Sequence, residues 1–192
     1  MRKYVTYFVL AMILAELALM LLSWILSAMM VEGVRSMLSS EGMRWYLGHF
    51  SYILMSPLLI DLLLLSIAVG CLLRSKVFSR SKTYHERLGH KVSIAMSIVY
   101  IAVVSLITLM PHSMLLSATG RLFPSPFSNA LLPMIAFWGV LIAVSYGLIV
   151  RSFTSFSSIV NAACDGIGIG APVILCYLAF IQFYNSVMFV FS

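Results

Sequence analysis

The sequence predicts an all-α membrane protein, a bundle of about five transmembrane helices, and three observations lead there. Of its 192 residues, 62% are hydrophobic and only 9% are charged, with a mean hydropathy of +1.06. A soluble domain of this size could not hide so much apolar surface. Five apolar stretches reach or approach the roughly 20 residues that a helix needs to cross the hydrocarbon layer. The basic residues gather in one short segment, as they do on the cytoplasmic side of membrane proteins.

The spans are expected at residues 4–30, 51–73, 92–116, 130–150 and 166–191 of a single transmembrane domain covering 1–192. The first follows Arg2 and Lys3, is too long for a signal-peptide core, and carries Trp24 near its far end as an interfacial anchor. It reads as retained. Residues 31–50 read as an external amphipathic segment, with Ser39 or Ser40 capping its second half and Glu41 in the first turn. Met43, Trp45 and Tyr46 supply its apolar edge. Residues 74–91 form the basic loop, holding Arg74, Lys76, Arg80, Lys82, Arg87 and Lys91 against one acid, Glu86. The net charge of +6 thus reflects topology rather than a nucleic-acid face. The loop and the N-terminus are expected in the cytoplasm, and Arg151 after the fourth span agrees. Five spans then leave the C-terminus external. Residues 117–129, with Pro124, Pro126 and Gly120, read as a tight external turn.

The stretch before the last span is harder to read. It is too polar for a span and too apolar for a solvated loop, and Gly166, Gly168 and Gly170 loosen the backbone ahead of Pro172. Two readings fit: a re-entrant arm feeding the last helix, as in transporters built from broken helices, or an interfacial helix followed by a small-residue packing stripe.

Two acids stand out, because Glu16 and Asp61 fall near the centres of the first and second expected spans. A carboxylate there costs about 2.5–3.5 kcal/mol on insertion scales, so each must be protonated, hydrogen-bonded or paired. No Lys or Arg lies inside a span. That leaves a shared proton, hydroxyl partners such as Ser23 or Ser66, or a cation on another polypeptide. The functional readings are an ion or proton relay and a docking point for a partner helix. Gln182 and Asn185 read as interhelical hydrogen-bonding residues. Cys71, Cys164 and Cys176 are expected as buried thiols without a disulfide, and they share no metal-ligand spacing with His49, His85, His90 or His112. No metal or other cofactor is expected. Without a nucleophile and base constellation, the chain does not read as an enzyme.

Several segments, in order, resemble the aminobenzoyl-glutamate (AbgT) transporter family. "LSSEGMRWYL" at residues 38–47 is similar to that family's external Glu-Gly-x-Arg-Trp segment, through Glu41, Gly42, Arg44 and Trp45, and is followed by a Pro-Leu helix at Pro57 and Leu58. Residues 86–111 resemble the basic loop and helix that open the second half of those transporters. Ser125, Pro126, Phe127, Pro133, Tyr146 and Gly147 match further landmarks, and Gly170, Ala179, Gln182 and Phe183 match its Ala-Gln-Phe helix. The resemblance implies a bacterial inner-membrane protein built like the scaffold part of an inverted-repeat transporter. The family's first re-entrant hairpin and the helices carrying its essential aspartate have no counterpart, and the chain ends before its later substrate-site residues. Asp61 departs from the pattern, being acidic where the family helix is apolar. The expectation is a scaffold-like accessory subunit of a larger membrane complex; the alternative is a small ion- or proton-coupled solute transporter, for aminobenzoyl-glutamate-like solutes, working as a homo-oligomer. Either way its partners are the lipid bilayer and other membrane-protein subunits or copies of itself, not nucleic acid.

Overall fold

A computed structural model of the chain describes residues 2–31, 33–78, 83–109 and 126–192. The described residues form six helices and no strand: α1 (Arg2–Ala28), α2 (Ser40–Leu54), α3 (Pro57–Ser75), α4 (Tyr84–Leu109), α5 (Pro126–Ile149) and α6 (Phe156–Val190). Five stretches are long and apolar enough to cross a membrane: Lys3–Ala28, Ser40–Ser75, Tyr84–Thr108, Asn129–Ile149 and Phe156–Val190. Most of the turn expected at 117–129, the end of the expected third span beyond Leu109, His112, Arg80 and Lys82 lie outside the described residues.

Local chemistry sets the helix ends. α1 has no Gly or Pro and many Leu, Met and Ala, all good helix formers. It closes with Met30 in the left-handed region, φ 54°, and the Val31 N–H reaching back to the Leu26 carbonyl, a helix stop that usually recruits glycine. Ser39 is the cap of α2: its Oγ accepts from the Gly42 N–H at 3.0 Å, and Glu41 lies in the first turn. At α4 the Glu86 carboxylate accepts from the Thr83 N–H at 3.0 Å, one half of a capping box.

Three expectations are corrected. The second span was expected from residue 51, yet 51–54 finish α2 and the next helix starts at Pro57. A proline pushes its preceding residue, Ser56, out of helical conformation while itself suiting a first helical position. The basic segment is shorter than 74–91, because Arg74 and Ser75 finish α3 and Tyr84–Lys91 already belong to α4. Finally, the glycine run is not loosened backbone: α6 continues as helix through Gly166, Gly168, Gly170 and Pro172.

The chain divides into two compact units, one of residues 1–60 and 171–192, the other of residues 61–170. In the first, Leu19, Met37, Phe189 and Val190 form a buried cluster joined by Met20, Trp45, Tyr46 and Phe183. The α1–α2 connection folds onto it. Ser23 Oγ accepts from the Met37 N–H at 3.2 Å, and the Arg35 N–H donates to the Val190 carbonyl at 2.9 Å.

The second unit packs backbone against backbone. Ala162, Gly166 and Gly170 stand four residues apart on α6 and face Ser66 and Gly70 of α3. A Cβ on Gly70 would lie 2.3 Å from Gly166 Cα, and one on Gly170 2.3 Å from Ser66 Cβ. Small residues at this spacing let helices approach closely in lipid, which is why glycine is accepted inside α6 despite its helix cost. Cys71, Ala143, Phe153 and Ala162 complete that core.

Candidate functional site: a buried carboxylate and its cavity

The first unit contains a set of polar groups in apolar surroundings. On α1 the inward stripe runs Met12, Glu16, Leu19 and Ser23, a helical spacing that places a carboxylate among methionine and leucine. Glu16 is 8% exposed. On α6, Gln182, Ser186 and Phe189 share a face by the same periodicity. Ser186, fully buried, donates its hydroxyl to Glu16 Oε1 at 2.5 Å. The other carboxylate oxygen, Oε2, is buried with no partner among the described residues, as are both the oxygen and the nitrogen of the Gln182 side-chain amide. Tyr46 of α2 brings its hydroxyl within reach of Gln182 and Glu16, although no Gln182 atom meets hydrogen-bond geometry. Glu16, Gln182 and Tyr46 line one cavity of about 180 Å³, whose other walls are apolar.

A second, wider cavity of about 530 Å³ in the same unit is lined by Arg35, Glu41, Arg44, Trp45, His49 and Asn185, among others. Trp45 stacks between Phe189, at 4.3 Å, and His49, at 5.7 Å. The "Glu-Gly-x-Arg-Trp" segment therefore builds one rim of this cavity. Its glycine has a steric reason, since a Cβ on Gly42 would lie 2.5 Å from the carbonyl oxygens of Ser36 and Met37.

The expected site residues are only partly brought together. Glu16 is at the middle of α1 as expected. Asp61 is not at mid-helix: α3 starts at Pro57, so Asp61 lies in its second turn, half-buried, and it belongs to the other compact unit. No hydrogen bond or ion pair to Asp61 exists among the described residues. Neither suggested hydroxyl serves an acid, because Ser23 Oγ donates to the Met20 carbonyl and Ser66 Oγ to the Leu63 carbonyl. Asn185 turns back on its own helix, donating to the Ile181 carbonyl at 2.8 Å. Of the thiols, Cys71 is buried, Cys176 half-buried and Cys164 exposed rather than buried.

Sequence reasoning missed three participants. Ser186 was the partner of Glu16, and the only sequence signal was its spacing of four from Gln182. Tyr46 read merely as an interfacial edge. Asp165 pairs with Arg74 in the second unit, both side chains about half exposed. Among the described residues no three His, Cys, Asp or Glu converge as a metal site. Comparison of the chain with protein-family models, with characterised proteins and with solved structures finds no match.

Proposed function

We propose that this chain is a membrane subunit that serves as a scaffold within a larger assembly and engages a partner through Asp61. The observation that carries the proposal is the state of that residue. Asp61 stands between Ile60 and Leu62 on a helix otherwise uncharged up to Arg74, half-buried, with no hydrogen bond or ion pair among the described residues. A carboxylate in such a setting is costly, and a cation on a neighbouring polypeptide would offset that cost. The sparse burial of the spans supports the same reading: 6–28% of the residues in each apolar window are buried within the chain, which leaves broad faces for lipid or other subunits.

The proposed kinship is with the scaffold part of AbgT transporters. Its support is that landmarks of the resemblance occupy constrained positions: Gly42 under the Ser36 and Met37 carbonyls, Gly147 against the Phe153 ring, Gly170 against Ser66. Furthermore, the two AbgT-like halves are joined directly by the basic segment, leaving no room between them for a re-entrant hairpin. The proposed topology is an inner-membrane chain with Lys76 and Arg151 on the cytoplasmic side and the α2 region outside.

Replacing Asp61 by Asn tests the proposal, because it removes the charge while keeping volume and most hydrogen bonding. Co-purification of partner subunits from native membranes should weaken while the isolated chain stays folded. Undiminished co-purification would refute docking through Asp61.

One observation favours a second reading, that of an ion-coupled solute transporter assembled from several copies: the unpartnered oxygen of Glu16 faces a cavity beside Gln182. Saturable, ion-driven solute uptake by the chain alone in liposomes would establish that reading against the first.

A further inference from the structure

The Glu16 cavity holds an imbalance that the docking proposal does not use. Its wall contains one carboxylate and no basic side chain. Ser186 satisfies only Oε1, leaving Oε2 and both atoms of the Gln182 amide buried without partners among the described residues. A buried carboxylate is tolerated only when neutralised, and a buried amide without a hydrogen bond carries a desolvation cost of its own. Both costs fall together if one small cation sits between them.

We propose that Glu16, Gln182 and Tyr46 bind a single alkali-metal cation. Three residues lining the cavity carry oxygens that can ligate a cation: Glu16 through Oε2, Gln182 through its amide oxygen and Tyr46 through its hydroxyl. Hard cations prefer oxygen ligands of this type. One carboxylate balances one positive charge, so the site suits a monovalent ion; divalent ions draw on several carboxylates. The cavity of about 180 Å³ has room for the ion and for waters, each taking about 30 Å³ in the liquid, which would complete its shell. A proton on Glu16 alone would supply one donor and leave the Gln182 nitrogen unanswered. A hydrated ion answers both ends of the amide. The site stands independently of any partner at Asp61, since the residues that form it all lie in the first compact unit.

The test uses the full chain in detergent or in lipid nanodiscs, with radioactive sodium as the probe and choline chloride holding ionic strength constant. The expected result is saturable binding of one ion per chain, and a thermal midpoint that rises with sodium by mass action but not with choline. Glu16→Gln should weaken binding by at least about tenfold. Tyr46→Phe and Gln182→Leu should each weaken it severalfold, and Gln182→Leu should do so without lowering the midpoint in choline, since both polar atoms of its amide lack partners among the described residues. If Glu16→Gln fails to fold, these two variants decide the question. Absence of saturable sodium binding to the unmodified chain, with no rise of the thermal midpoint in potassium chloride over choline chloride, would overturn the proposal and leave the cavity to water and a protonated acid. Unchanged affinity in both Tyr46→Phe and Gln182→Leu would equally overturn it.

Discussion

Two glycines two residues apart on α6 should respond differently to the same substitution. An alanine at Gly166 would put its Cβ 2.4 Å from the Ser66 carbonyl oxygen and 2.9 Å from Gly70 Cα, both well short of the 3.4 Å at which ordinary contact begins. The obstructing atoms are backbone, so α3 and α6 must separate. Overpacking of that kind costs about 1–3 kcal/mol. At Gly168 a Cβ meets nothing within 4 Å. Both variants gain the same helix propensity, about 0.8–1 kcal/mol for Gly→Ala, so the difference between them isolates the clash. Gly168→Ala should stabilise the chain by up to about 1 kcal/mol. Gly166→Ala should be less stable than Gly168→Ala by about 1–3 kcal/mol. Reversible unfolding in mixed micelles, followed by far-ultraviolet circular dichroism, measures both. Equal stabilities, or Gly166→Ala as the more stable of the two, would refute the close approach of α3 to α6 and with it the packing role of Gly166.

Three further outcomes follow from the same geometry. Ser39→Ala should cost about 1 kcal/mol by removing the α2 cap, whereas Ser40→Ala, one position inside the helix, should change stability little; the same unfolding assay separates them. Ser186→Ala leaves Glu16 Oε1 buried without its donor and should cost about 1–3 kcal/mol in the same assay. Arg74→Ala should shift stability by no more than about 1 kcal/mol, because its partner Asp165 and Arg74 itself are 57% and 47% exposed and a pair so open to solvent is worth little.

What could be read from the sequence was whatever leaves a local mark. Apolar length marked the spans, a serine followed by an acid marked the start of α2, and a lone Glu in the run from Ala15 to Leu17 marked the buried carboxylate. Contacts distant in sequence left no such mark. Ser186 meets Glu16 across 170 positions, and Asp165 meets Arg74 across 91, so neither pair could be foreseen from spacing. The glycine run shows a different difficulty. Glycine loosens an isolated helix in water, yet against the Ser66–Gly70 surface its missing Cβ is what permits contact, and only the neighbouring helix decides between these roles. Pro57 was visible throughout, but its consequence was misjudged: hydropathy runs smoothly through residues 51–73, and the proline interrupts the helix without interrupting the apolar run.

Engagement of a partner through Asp61 is decided by the mass of the complex taken intact from native membranes, with and without Asp61→Asn. This chain should be bound to unrelated membrane subunits, with the complex visibly loosened by the variant, since leaving a buried charge without its partner typically costs about 3–5 kcal/mol. A complex made only of copies of this chain, with its mass unchanged by Asp61→Asn, would contradict it.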